Sequence, residues 1–111
     1  FAQIDEGRKV VLMRGTPDSL TTRASRVVEA AIDGAPFSMS ECTGALIYFC
    51  TGCMLAIQDR LDETVRSLSE TFVDVPFLCT FTLGEQGCFV GGENRHGNLM
   101  IAAIVFGPGE E

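Results

Sequence analysis

The chain predicts an α/β (or α+β) domain: a mixed four- to five-stranded sheet with two packed helices, in the order β-α-β-α-β-β. Three observations carry this. Short runs rich in Phe, Thr, Ile, Val and Ala, suited to a pleated and partly buried surface, stand at Ala45–Cys50, Phe77–Leu83 and Leu99–Phe106. Two longer segments ahead of the later runs have apolar residues every three or four positions, as on one face of a helix. The last two runs enclose a polar connection holding Gly84, Gly87, Gly91, Gly92 and Gly97.

The elements follow in order. Asp5-Glu6-Gly7 reads as a turn, and Lys9–Arg14 as a strand of mainly apolar residues. Thr16-Pro17 is a helix start, with Thr as N-cap and Pro at the first helical position. Leu20, Ala24, Val27, Val28, Ala31 and Ile32 make one apolar face, and Gly34 is a stop, so the helix covers about Pro17–Asp33. Ala35–Thr43 is a connector with a short extended piece at Phe37–Met39. Ala45–Cys50 is nearly continuously apolar, as in a central strand covered on both faces. Thr51-Gly52 breaks it. The second helix, about Cys53–Phe72, carries the stripe Met54, Ile57, Leu61, Val65, Leu68 and Phe72, read as a core face. Pro76 disfavours a helical Val75 and ends the helix region. Pro108-Gly109-Glu110-Glu111 reads as a tail. The two helical crossovers predict parallel neighbouring strands, and the final loop without a helix predicts an antiparallel last pair.

The 111 residues suit a single domain, 1–111, with one core. At 46% hydrophobic and a mean hydropathy of +0.23 the chain is too apolar for a disordered one. The net charge of −7 argues against nucleic-acid or anionic-lipid partners, and neither apolar run is long enough to span a bilayer. The five cysteines, Cys42, Cys50, Cys53, Cys79 and Cys88, are an odd number and read as reduced thiols of a cytoplasmic domain. With one Cys-x-x-Cys and one histidine, no metal site is expected. The chain begins with Phe1, not Met, which reads as a processed or cut start.

Two places carry candidate chemistry. Cys50-Thr51-Gly52-Cys53 lies between a strand and a helix. A Cys-x-x-Cys there suits thiol–disulfide exchange, because a helix start favours thiolate. The plainer reading is a buried Cys50 with an incidental Cys53. The glycine-rich connection holds Glu85, Cys88, Glu93 and the only histidine, His96. A long polar loop between core strands is where a site is expected; the alternative is a solvated loop with no ligand. No G-x-S-x-G and no phosphate loop is present, so an enzyme is not indicated.

The pattern Phe77-Leu78…Phe81-Thr82…Gly84-Glu85-x-Gly87…Gly91-Gly92…, with an Asn before an apolar strand, resembles the C-terminal domain of the FIST family, and so does Ala45–Cys53, ALIYFCTGC. The resemblance spans about Gly44–Phe106. FIST domains are input domains of intracellular signal transduction, found in bacterial sensors and some F-box proteins. Cys53 stands where the family usually has Arg, His96 and Asn98 are separated by Gly97, and Met100 stands where a Thr is usual. The resemblance implies a small-molecule-sensing module, with an amino acid as the kind of ligand, and a neighbouring N-terminal FIST domain or a downstream signalling domain as partner. It implies ligand-binding residues Cys50, Thr51, Gly52, Cys53, Gly84, Glu85, Gly87, His96 and Asn98. The Thr51-Gly52 turn would offer backbone N–H groups to an anionic ligand group, and Glu85 would pair with a ligand amine or anchor the loop. No cofactor is expected: haem on His96 is what the family raises, and the displaced histidine speaks against it. Thiol–disulfide exchange at Cys50 and Cys53, or a purely structural interaction domain, are the alternatives. Three expectations follow. The Thr51-Gly52 and Gly84-Glu85 turns should be neighbours at one sheet edge. Cys50 should be buried and reduced. An apolar patch left by an absent neighbour domain should be exposed, and a homodimer would cover it.

Overall fold

The computed structural model describes residues 3–89 and 91–109. Of the expected tail, Glu110 and Glu111 lie outside these residues, as does Phe1. The fold is α+β, with five strands in two sheets and four α-helices among the described residues.

The first helical region begins where the cap residues put it. Thr16 Oγ1 accepts from the Ser19 amide at 3.2 Å, Ser19 Oγ accepts from the Thr16 amide at 3.0 Å, and Pro17 takes the first helical position. The single helix expected over Pro17–Asp33 is two, α1 (Pro17–Thr21) and α2 (Arg23–Asp33). The reason lies in Thr21 and Thr22. Both hydroxyls donate to the Asp18 carbonyl, at 3.1 and 3.4 Å, and compete with the backbone for it. Gly34 closes α2 as expected.

Phe37–Met39 forms no strand, although Ser38 itself is extended (φ −87°, ψ 168°). Met39–Glu41 forms a 3₁₀ turn capped by Ser38, whose amide and hydroxyl both donate to Glu41. Strand β1 (Gly44–Cys50) follows and runs directly into α3 (Thr51–Leu55), so the helix starts at Thr51 and not at Cys53. The stripe then breaks at Ile57, which is fully buried with φ −132°, and a 3₁₀ turn at Gln58–Arg60 leads to α4 (Leu61–Phe72). Arg60 fixes that turn by pairing with Asp18 of α1 and Glu63 of α4, both at 2.7 Å. Ser25 and Ser67 share a 2.6 Å hydrogen bond between α2 and α4.

Strand β2 (Phe77–Thr82) pairs parallel with β1, as the helical crossover predicts. The final strand β5 (Ile101–Phe106) pairs antiparallel with β1, on its other side. The order β2-β1-β5 therefore corrects the expected pairing of the last two runs: they point in opposite directions but flank β1. The loop between them is itself a hairpin, β3 (Glu85–Phe89) with β4 (Glu93–Gly97), turning at Gly91 and Gly92, both with positive φ. The larger sheet thus holds three strands and the hairpin the other two.

Lys9–Arg14 is not a strand. It is irregular, exposed and unpaired among the described residues. Its propensity is that of a strand, but propensity needs a ladder partner to be realised.

The core lies on one face of the three-stranded sheet. Ala45, Ile47 and Phe49 align with Phe77, Cys79 and Phe81 on one side and with Val105, Ala103 and Ile101 on the other. Ala24, Val28, Leu68 and Phe72 from α2 and α4 complete it. Phe72 stacks on Phe77 at 5.2 Å, and Phe81 meets Phe49 edge-on at 5.9 Å. The opposite face is only partly covered. Gly87 of the hairpin rests on Ala102, whereas Leu78, Ile104 and Phe106 are exposed. The central strand is therefore fully covered on one face only.

Candidate functional site

Because β1 and β2 are parallel and in register to Cys50 opposite Thr82, both strands end at the same edge. The turns after them are neighbours, as expected. Thr51 Oγ1 donates to the Thr82 carbonyl at 3.0 Å, and Thr82 Oγ1 donates to Glu85 Oε1 at 3.0 Å. Glu85 is only 2% exposed, and its other oxygen, Oε2, has no hydrogen-bond partner among the described residues. Gly84, at φ +109°, makes the sharp turn that sends Glu85 inward.

The two cysteines close the same corner. Cys50 and Cys53 are buried, and all five thiols are free. Burial, reinforced by Cys50 beside it, pushes the Cys53 thiol up to about 11. At neutral pH Cys53 is a thiol, the opposite of an activated nucleophile. Gly52 lies under Leu99: a β-carbon added at Gly52 would sit 3.0 Å from Leu99 Cδ2. Leu99 has φ +57°, and its carbonyl accepts from Arg23 Nη1 at 3.2 Å.

The cluster is thus Cys50, Thr51, Gly52, Cys53, Gly84 and Glu85, joined by Thr82, Leu99 and Arg23. Thr82 belongs to the family-like pattern but is not among the expected ligand-binding residues, and neither are Leu99 and Arg23. The bonds that bring Thr82, Leu99 and Arg23 to the cluster are tertiary or depend on the packed strands.

Of the remaining candidates, His96 borders the cluster at Gly84, and Gly87 and Asn98 stand apart from it. His96 is exposed on β4, with its Cε1 3.4 Å from where a Gly84 β-carbon would be. Asn98 is exposed in the bend after β4. Gly87 has a packing role against Ala102. Gln86, Gly87, Asn94, Arg95 and His96 line an open concavity of about 460 Å³ on the hairpin, apart from Glu85.

The Thr51-Gly52 turn differs from the expected anion cradle. Helix α3 has five residues, too few for a strong dipole at its start, and Thr51 shares Thr82 with the Glu85 carboxylate. A carboxylate there favours a cation. Among the described residues no group of three or more His, Cys, Asp or Glu is placed to hold a metal ion, and no helix is long and apolar enough to cross a membrane.

No curated protein and no solved structure matches this chain. The sequence model of the FIST C domain does, over residues 1–88. The match takes in the segment before α1 and both first helices, which the sequence resemblance left out. It ends at Cys88, ahead of His96 and Asn98, so the family correspondence of those two residues rests outside it. With residues 1–88 of 111 matched, and with the Ala45–Cys53 and Gly84-Glu85-x-Gly87 segments inside the match and meeting at one sheet edge, the chain belongs to the FIST C domain family, whose members are associated with signal transduction.

Proposed function

We propose that this domain is the sensing part of a cytoplasmic signalling protein and binds a small molecule bearing a positively charged group, of which an amino acid is the simplest kind. The observation that supports this is Glu85: a buried carboxylate with one oxygen held by Thr82 and the other without a partner among the described residues. A buried polar group is normally satisfied, and a ligand ammonium would satisfy this one. Thr82 and Thr51 orient the carboxylate, the buried Cys50 and the un-ionised Cys53 thiol wall the corner, and Leu99 covers the turn. Ligand entry displaces Leu99. No bond is made or broken in this reading, which assigns no enzymatic step and no cofactor. Five free thiols suit a reducing compartment.

The test is a thermal-unfolding screen of the proteinogenic amino acids and simple primary amines against the chain and against Glu85→Gln. A ligand at 100 times its Kd stabilises by about 2.7 kcal/mol, and Glu85→Gln should abolish that gain. A panel without any stabilising compound, or a gain that survives in Glu85→Gln, overturns the proposal. The thiol-exchange alternative is disfavoured by burial of both sulfurs, with Cys50 7% and Cys53 4% exposed.

A further inference from the structure

We propose that residues 9–14 are an exchangeable edge strand: the arm of one chain pairs antiparallel with β5 of a second copy, and the second copy returns the exchange.

The receiving edge is defined by hydrogen bonding. The Met100 and Phe106 carbonyls accept from the Cys50 and Thr43 amides. Alternate residues of an antiparallel strand face alternate neighbours. Ile101, Ala103 and Val105 therefore turn their amides and carbonyls away from β1, toward an edge that no strand occupies among the described residues. An open edge of this kind is a template for another strand.

The arm has the character of the missing strand. Lys9-Val10-Val11-Leu12-Met13-Arg14 is apolar and partly β-branched, yet exposed throughout, with Leu12 at 99%. Its six residues match the six of β5. Arg8, Lys9 and Arg14 are three of the eight cations in a chain of net charge −7, and no acidic residue lies among them, so the arm is attracted to any acidic copy of the body.

Direction agrees as well. Helix α2 packs on β5, and Arg23 at its start bonds Leu99 at the entry to that strand. The arm therefore ends, through Gly15-Thr16 and α1, at the edge where β1 ends and β5 begins. A strand ending there runs parallel to β1 and antiparallel to β5.

A second copy is favoured over the chain's own arm because the arm leaves its own body. The hinge is two residues, and Thr16 is extended (φ −101°, ψ 155°) and committed to capping α1. The radius of gyration is 15.1 Å, against about 13 Å for a compact domain of this length. Short hinges favour exchange between copies over closure within one.

The experiment is light scattering over a dilution series, with hydrogen exchange, on the chain and on Val11→Pro and Leu12→Pro. Adjacent positions are used because one of the two amides must face the ladder. Neither side chain is packed in the single copy, so both variants should keep the native circular dichroism and cooperative unfolding. The expected result is a dimer that dissociates on dilution, with the Ile101, Ala103 and Val105 amides protected. One proline variant should weaken dimerisation at least about 100-fold and release those amides. A monomer at all concentrations overturns the proposal. So does a monomer with those amides protected, which means the chain's own arm docks. A dimer indifferent to both prolines also overturns it and points to the Leu78, Ile104 and Phe106 face.

Discussion

Glu85→Gln should make the ligand-free protein more stable. Glu85 is 2% exposed and one of its oxygens has no partner among the described residues. An unsatisfied buried polar group costs about 1–3 kcal/mol, and more when charged. Glutamine has nearly the same shape and can still accept from Thr82 Oγ1, and the neutral NH2 that takes the place of the unserved oxygen costs less to leave unpartnered than a carboxylate oxygen does. The gain is therefore about 1–3 kcal/mol, and each kcal/mol raises Tm by about 4–8 °C in a domain near this size. Urea unfolding at pH 7 measures it as a higher midpoint at unchanged slope. Thr82→Val should act in the opposite direction, by about 1–3 kcal/mol, since it leaves both Glu85 oxygens unserved. In the double variant the Thr82→Val penalty should shrink, because a neutral amide suffers less from the lost donor. A loss of 1 kcal/mol or more in Glu85→Gln, on the order of one hydrogen bond, would refute the reasoning. It would mean that the carboxylate is already balanced within the protein and that no ligand is needed to complete it.

Four other outcomes are expected. In native alkylation followed by mass spectrometry, exposed Cys88 should react quickly at pH 8, and Cys53 only as pH approaches about 11. The same raised thiol binds its proton more tightly in the folded state, so its contribution is complete below about pH 9 and is lost as pH rises toward about 11; Cys53→Ala should flatten that alkaline decline in chemical unfolding. Gly97→Ala should destabilise by about 1–3 kcal/mol, because the added β-carbon falls within the Met100 side chain, and Met100→Ala in the same chain should recover most of the loss in urea unfolding. Leu68→Ala should cost about 2–5 kcal/mol, whereas Leu78→Ala, at an exposed position, should change the unfolding midpoint of the single copy very little.

What the sequence by itself determined is local. The cap at Thr16-Pro17, the stop at Gly34, the apolar period of α2 and the runs of β1, β2 and β5 depend on neighbours within a few residues and stand where the spacing put them; in α4 Leu68 and Phe72 do so, whereas Val65 of the expected stripe is exposed and Thr64 is buried instead. So does the adjacency of the two turns, because parallel strands joined by a helix must end at one edge. The family was legible for the same reason: its motifs are turns and strand ends.

The rest depends on contacts distant in the chain. Polar residues and glycines between Glu85 and Gly97 hid a hairpin that forms because Gly87 can lie on Ala102. The breaks at Thr22 and Ile57 follow from two hydroxyls competing for one carbonyl and from a side chain drawn into the core. Lys9–Arg14 has the composition of a strand, but a ladder needs two strands, and pairing is decided by what reaches the β5 edge. Glu85 carries the same point furthest. Its place in Gly84-Glu85-x-Gly87 was readable from the sequence, but its burial, its bond to Thr82 and its unpaired oxygen exist only once β1 and β2 lie side by side, because desolvation belongs to the packed structure and not to any residue alone.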